Sequence, residues 1–300
     1  MKKLLFRGAA TALVTPFTPQ GELDEEMLRR LLRYQLENGA AAVVLCGTTG
    51  ESPVLSLQEK QRIFQNGVSV CGGRLPVIAG VGDNDTNHTV QAAKMAEQCG
   101  VDGLLVVTPY YNKTTQRGAI QHYEKVLEAT TLPVILYNVP SRTGVDLSVE
   151  TVCRLAEFPT AAGIKEAAGN MEKIALLRAA CPRDFAIYSG NDADTLPVLA
   201  LGGEGVISVT SNLLPNVVNF LCKAFWNGNY EIALRNQLLL APLNRLLFET
   251  VNPLPVKAAM EAIGFPCGQC RLPLEQLTPE QSAALLERIR PLLHQDFIEA

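Results

Sequence analysis

The sequence predicts an α/β fold, a (β/α)8 TIM barrel with a C-terminal helical extension. Short β-branched or apolar runs alternate with amphipathic segments through residues 1–228. The runs end near Thr15, Cys46, Gly80, Thr108, Asn138, Lys165, Ser189 and Ser208, roughly 20 to 35 residues apart, the length of one strand with one helix. Eight such units make a closed barrel, and the 300-residue chain leaves room for a barrel and an appendage. No glycine-rich dinucleotide fingerprint follows the first run, so a doubly wound sheet is the lesser alternative.

The elements carry their own signals. Asp24 precedes a helix whose Leu28, Leu31, Leu32 and Leu36 form one apolar stripe. Ser56 and Glu59 make a capping box for the next helix, and Gly39 and Gly100 stand where helices stop. After Trp226-Asn227-Gly228 only helical patterns remain: Tyr230–Glu249, Pro255–Ile263 and Pro279–Leu293, the last opened by Thr278 and Gln281 as a second capping box. Residues 1–228 are therefore read as the barrel carrying the active site. Residues 229–300 are read as a helical region whose apolar faces cover barrel helices or a partner subunit.

Composition excludes several classes of function. At 47% hydrophobic and 19% charged, the chain can bury a large core. A net charge of −4 with both signs interspersed offers no basic face to nucleic acid and no polybasic contact to a membrane. Arg7 and Gly8 interrupt the apolar opening too early for a signal peptide. Later apolar stretches are all broken short of the ~20 residues of a membrane span. The reading is cytoplasmic. Of the eight cysteines, only Cys267-Gly-Gln-Cys270 has a ligand-like spacing, and the three histidines lie far from it. Buried free thiols are expected, with no metal and no cofactor.

In such barrels the reacting groups gather where strands end. Lys165, in Gly163-Ile-Lys-Glu-Ala-Ala-Gly169, closes the apolar run from Thr160 to Ile164. Desolvation there favours the neutral amine, a nucleophile that forms an imine with a ketone. The plainer reading is a strand-capping lysine, or one paired with a carboxylate such as Glu166. Gly47-Thr48-Thr49-Gly50-Glu51 suits a tight turn whose amides and hydroxyls cradle a carboxylate, although it also fits an ordinary turn. Thr108-Pro-Tyr110-Tyr111-Asn112 offers lid packing or a phenol for proton transfer. Tyr137-Asn-Val-Pro-Ser-Arg142-Thr-Gly144 brings a phenol to a strand end one unit before Lys165 and a permanent cation to the next loop. Gly190, at the seventh strand end, and Ile207, at the eighth, offer backbone groups. Lys257 is a rival nucleophile, but it opens a C-terminal helix and is read as structural.

Together these motifs resemble the dihydrodipicolinate synthase family, pyruvate-dependent class I aldolases on the N-acetylneuraminate lyase barrel, from Gly8 to beyond Pro255. The resemblance implies that Lys165 forms an imine with pyruvate and that Tyr137, Thr49 and Tyr111 relay protons, with Tyr111 reaching in from a neighbouring subunit. It implies that Thr48 and Thr49, aided by the Ile207 carbonyl, hold the pyruvate carboxylate, that Gly190 lines the site, and that Arg142 binds L-aspartate 4-semialdehyde. It further implies a homotetramer, a dimer of dimers, working in lysine (diaminopimelate) biosynthesis without cofactor. At positions matching the lysine-inhibition pocket of the family stand Leu57, Lys60 and His88, so weak or absent inhibition by lysine is expected. Two alternatives accompany this reading: a sugar-acid or sialic-acid aldolase, and a silent barrel that binds a keto acid.

Overall fold

In the computed structural model, which describes residues 2–298, eight parallel strands close a barrel in chain order. They are β1 (Gly8–Ala12), β2 (Ala42–Leu45), β3 (Val77–Gly80), β4 (Gly103–Val107), β5 (Val134–Asn138), β6 (Ala161–Glu166), β7 (Ala186–Ser189) and β8 (Gly205–Ser208). Helices α1 (Glu25–Glu37), α2 (Leu57–Cys71), α3 (Thr86–Gln98) and α4 (Gln116–Glu128) follow the first four strands. The short α5 (Pro140–Thr143) precedes α6 (Val149–Leu155), and α7 (Met171–Ala180), α8 (Thr195–Ala200) and α9 (Pro215–Trp226) complete the ring. The C-terminal region holds α10 (Tyr230–Leu246), α11 (Leu254–Ala262) and α12 (Pro279–Ile289).

The strands read as continuous apolar runs because the barrel buries both of their faces. Ala10, Val44, Ile78, Leu105, Ile135 and Ile207 fill the interior. Phe6, just ahead of β1, stacks on Tyr188 with ring centroids 4.2 Å apart, and the Tyr188 hydroxyl donates to the Phe6 carbonyl at 2.8 Å. The opposite faces of the strands meet the helix ring in a larger core that includes Leu28, Leu31 and Leu32 of α1.

The capping signals hold. Asp24 accepts from the Met27 amide, and Ser56 with Glu59 and Thr278 with Gln281 form reciprocal capping boxes. Gly39 and Gly100 take positive φ just past their helices. Three boundaries differ from expectation. β1 stops at Ala12 rather than near Thr15, because side chains take over: the Val14 amide donates to Asn212 Oδ1, and Thr15 Oγ1 donates to the Gly50 carbonyl. α10 ends at Leu246, short of Glu249. Beyond α12 the chain tightens into a 3-10 turn over Arg290–His294, where Pro291 has no amide to continue the α-helical ladder.

The C-terminal region does more than cover the ring. The segment from Asn252 to Arg271 reaches the mouth at the strands' C-terminal ends, where Asn252, Lys257 and Arg271 bond to the turn after β2. Among the described residues no helix is long and apolar enough to cross a membrane.

Candidate active site

Strand register decides what meets Lys165. Tyr137 of β5 pairs with it on one side and Tyr188 of β7 on the other. The Tyr188 hydroxyl is committed to the Phe6 carbonyl, so the available phenol is that of Tyr137. Lys165 Nζ lies 4.3 Å from the Tyr137 ring centroid. Both residues are 6% exposed. Neither the Lys165 amine nor the Tyr137 hydroxyl makes a hydrogen bond or ion pair among the described residues. Lys165 is thus a buried amine, and the carboxylate next to it in sequence is not its partner.

Alternation along the strand explains that separation. Asn138 and Glu166, the next pair in register, project to the opposite face. There Asn138 Nδ2 donates to both Glu166 oxygens at 2.8 and 3.0 Å, and Lys173 lies 3.3 Å from the same carboxylate. Lys173 also pairs with Asp146. Burial pushes the Glu166 carboxyl up, opposed by Lys173, Asn138 and the Ala168 amide. This outer latch holds the ends of β5 and β6 together, and with them the phenol and the amine inside.

Above Lys165 opens a cavity of about 190 Å³ bordered by Thr48, Thr49, Tyr137, Arg142, Gly190 and Asn252. Arg142 lends it a permanent positive charge, Lys165 is its other basic lining residue, and among the described residues no carboxylate borders it, so the space favours anionic ligands. Gly190 is required there: a Cβ would sit 2.5 Å from that of Ala167 and 3.0 Å from the Glu166 carbonyl. A second, mostly apolar cavity of about 210 Å³ adjoins the first, and Thr48, Tyr137 and Arg142 border both. Behind the lysine, the buried Asp192 accepts from the Ser208 hydroxyl and from the Val209 and Thr210 amides. Burial raises its pKa, while those donors and the nearby Lys165 work the other way.

The Thr48-Thr49 turn is held from outside the barrel. Glu51 takes a left-handed conformation, φ +58, that costs an L-residue energy. It is buried and accepts from Lys257 Nζ and the Arg271 amide, each at 2.9 Å. Lys257 also donates to the Gln269 carbonyl and lies over the Phe17 ring, so it is a pinned structural cation. Asn252 Nδ2 donates to Thr49 Oγ1 at 3.0 Å.

The match to known proteins settles the family. The model of the dihydrodipicolinate synthetase family matches residues 5–291. The chain belongs to that family. A 4-hydroxy-tetrahydrodipicolinate synthase of Alkaliphilus oremlandii is 44% identical over 286 residues, spanning 95% of this chain and 98% of the relative. The dihydrodipicolinate synthase DapA-2 of Bacillus anthracis superposes with a TM-score of 0.93 at 40% identity, covering 97% and 99% of the two chains. The Acinetobacter baumannii dihydrodipicolinate synthase, solved with pyruvate, superposes at 0.92 with 38% identity, covering 95% and 98%.

Of the residues predicted for the dihydrodipicolinate synthetase site, Lys165, Tyr137, Thr48, Thr49, Arg142 and Gly190 converge on one cavity. Ile207 lies beneath, in the interior cluster with Tyr137. Tyr111 does not join them: it stands 88% exposed on a loop where its own φ is +71. Leu57, Lys60 and His88 come together elsewhere, around a cavity of about 310 Å³ that also contains Asp83. Asn252 and the Glu51–Lys257 pair were missed by sequence reasoning. No strand-end signal marks Asn252, which comes from the helical region more than 200 positions after Thr49.

Proposed function

We propose that this enzyme condenses pyruvate with L-aspartate 4-semialdehyde to 4-hydroxy-tetrahydrodipicolinate, a step of lysine biosynthesis, through an imine on Lys165. The observation that carries the proposal is a buried, unpaired amine 4.3 Å from a phenol ring, in a cavity lined by an arginine and hydroxyls. The Lys165 amine adds to the pyruvate ketone, and loss of water gives the imine. Its protonated nitrogen draws electrons from the methyl group, which loses a proton to become an enamine. The enamine carbon attacks the aldehyde, whose oxygen takes up a proton. The substrate's own amine then displaces Lys165 as the ring closes. Every step moves a proton near Tyr137, which suits a phenol working as acid and base in turn.

The hydroxyls divide the remaining work. Thr49 accepts from Asn252, so its own proton is free for the pyruvate carboxylate. Thr48 borders both cavities, which suits it better than Thr49 as the link from Tyr137 to a second phenol. The adjoining apolar cavity is a fitting seat for the partner subunit's Tyr111, since this chain's own Tyr111 is turned to solvent. Assembly of at least a dimer, and a homotetramer by family resemblance, is part of the proposal. A similar solved structure, 42% identical with a TM-score of 0.93, is described as the first monomeric dihydrodipicolinate synthase variant. A cytoplasmic setting is also part of it, supported by the eight free thiols.

The test is borohydride reduction in the presence of pyruvate, followed by peptide mass mapping. The expected result is one pyruvate-derived adduct on Lys165, lost in Lys165→Ala. An unmodified Lys165, or an adduct on Lys257 instead, overturns the mechanism.

A further inference from the structure

We propose that Cys153 and Cys181 form a dithiol site that closes to a disulfide by exchange with a small disulfide such as oxidised glutathione, clamping α6 to the C-terminal end of α7. The two sulfurs lie 3.3 Å apart, already in contact, and a bond requires an approach to about 2 Å. Among the described residues no other pair of the eight cysteines is in sulfur contact. Cys153 belongs to α6 and Cys181 caps α7, and the two helices lie side by side. The 28 positions separating the cysteines include all of β6, and so Lys165. Closure therefore ties a loop around the strand that carries the reacting amine.

The two thiols differ in access, and that sets the order of events. Cys153 is partly exposed, whereas Cys181 is buried. Burial, with the adjacent Cys153, pushes the Cys181 thiol up to about 12, while Arg178 pulls the other way. The Cys153 thiolate attacks first, breaking the small disulfide and releasing one glutathione thiolate. Cys181 then gives up its proton and attacks the Cys153 sulfur, and the second glutathione leaves and takes up a proton. Two protein thiols are oxidised and one small disulfide is reduced to two thiols. A buried thiol reacts reluctantly, so the second step is the slow one.

The pair that sequence spacing singles out behaves otherwise. Cys267 and Cys270 are both buried, with thiols pushed up to about 12 by burial. Cys267 Sγ donates to the Phe265 carbonyl at 3.3 Å.

The folded protein is to be incubated with oxidised glutathione, alkylated, and mapped without reduction. The expected result is a single Cys153–Cys181 linked peptide and a loss of two titratable thiols. The thermal midpoint should rise by about 5 °C, reversibly with dithiothreitol, as closure of a loop this size gives. Cys153→Ser should lose all three effects. Cys181→Ser should instead accumulate a glutathione adduct on Cys153, which reads the first step in a chain that keeps Cys153. A link joining any other cysteines, a stable adduct on wild-type Cys153 without closure, or an unchanged thiol count overturns the proposal.

Discussion

Arg142 is exposed at the mouth of the lysine cavity while Lys165 lies buried beneath it, and this separation predicts a separation of roles. Arg142→Ala should lower kcat/KM for aspartate semialdehyde by about 100-fold, the worth of a charge-assisted hydrogen-bond pair. Pyruvate should still be trapped on Lys165 by borohydride, and loss of that trapping would place the arginine in the first half-reaction. Asn252 acts one step further back, through Thr49. Asn252→Ala should raise KM for pyruvate by about 10-fold, with a smaller effect on kcat. Asn252→Asp should raise it further, because a carboxylate would then face the substrate's own. Equal losses in kcat and kcat/KM with KM unchanged would contradict that role.

At the scale of elements, a barrel strand end and the distant helical region share one turn. Glu51, Lys257 and Arg271 join the turn after β2 to the segment around α11, and Arg271 donates further to Glu59 of α2 at 3.0 and 2.5 Å. Lys257 and Glu51 are each almost wholly buried, so removing one partner leaves the other as an uncompensated charge. Glu51→Ala should destabilise the fold by about 3–5 kcal/mol in denaturant unfolding. The double change Glu51→Gln with Lys257→Met should recover most of that. A double variant no more stable than the single one would show that the turn depends on more than charge pairing.

For the whole molecule, two groups set an acid limb of stability. Burial pushes the His122 imidazole down to about 4, and its Nε2 is buried without a hydrogen-bond partner, as suits a neutral ring. Between pH 6.5 and 4 the unfolded chain binds a proton that the folded one refuses, so stability falls as pH falls through that window. Arg271 holds the Glu59 carboxyl down to about 2. The stability that pair contributes is full above the ordinary carboxylate range and is lost as pH falls from about 4.5 towards 2. Urea midpoints should therefore decline in two overlapping steps, each of order 2 kcal/mol. His122→Gln should flatten the upper step and Glu59→Gln the lower; an unchanged pH profile in either variant would refute its assignment.

Much of this protein was legible in one dimension. The period of strand and helix predicted the barrel, because each unit must bury a strand on both faces and a helix on one. The strand ends then named Lys165, Tyr137, Thr48, Thr49, Arg142 and Gly190, since a barrel directs all such ends to one mouth. What sequence could not supply is whatever depends on chains meeting from far apart. Register set two tyrosines beside the amine, the bond from Tyr188 to the Phe6 carbonyl left Tyr137 as the available phenol, and alternation sent Glu166 to Lys173 instead of to its neighbour Lys165. The helical region returned Asn252 and Lys257 to a turn formed about 200 residues earlier, and helix packing brought the Cys153 and Cys181 sulfurs into contact, a pairing that their spacing in the sequence does not mark. Local periodicity fixes which face a residue occupies, but only the closed barrel and the helices laid on it determine which partner it finds there.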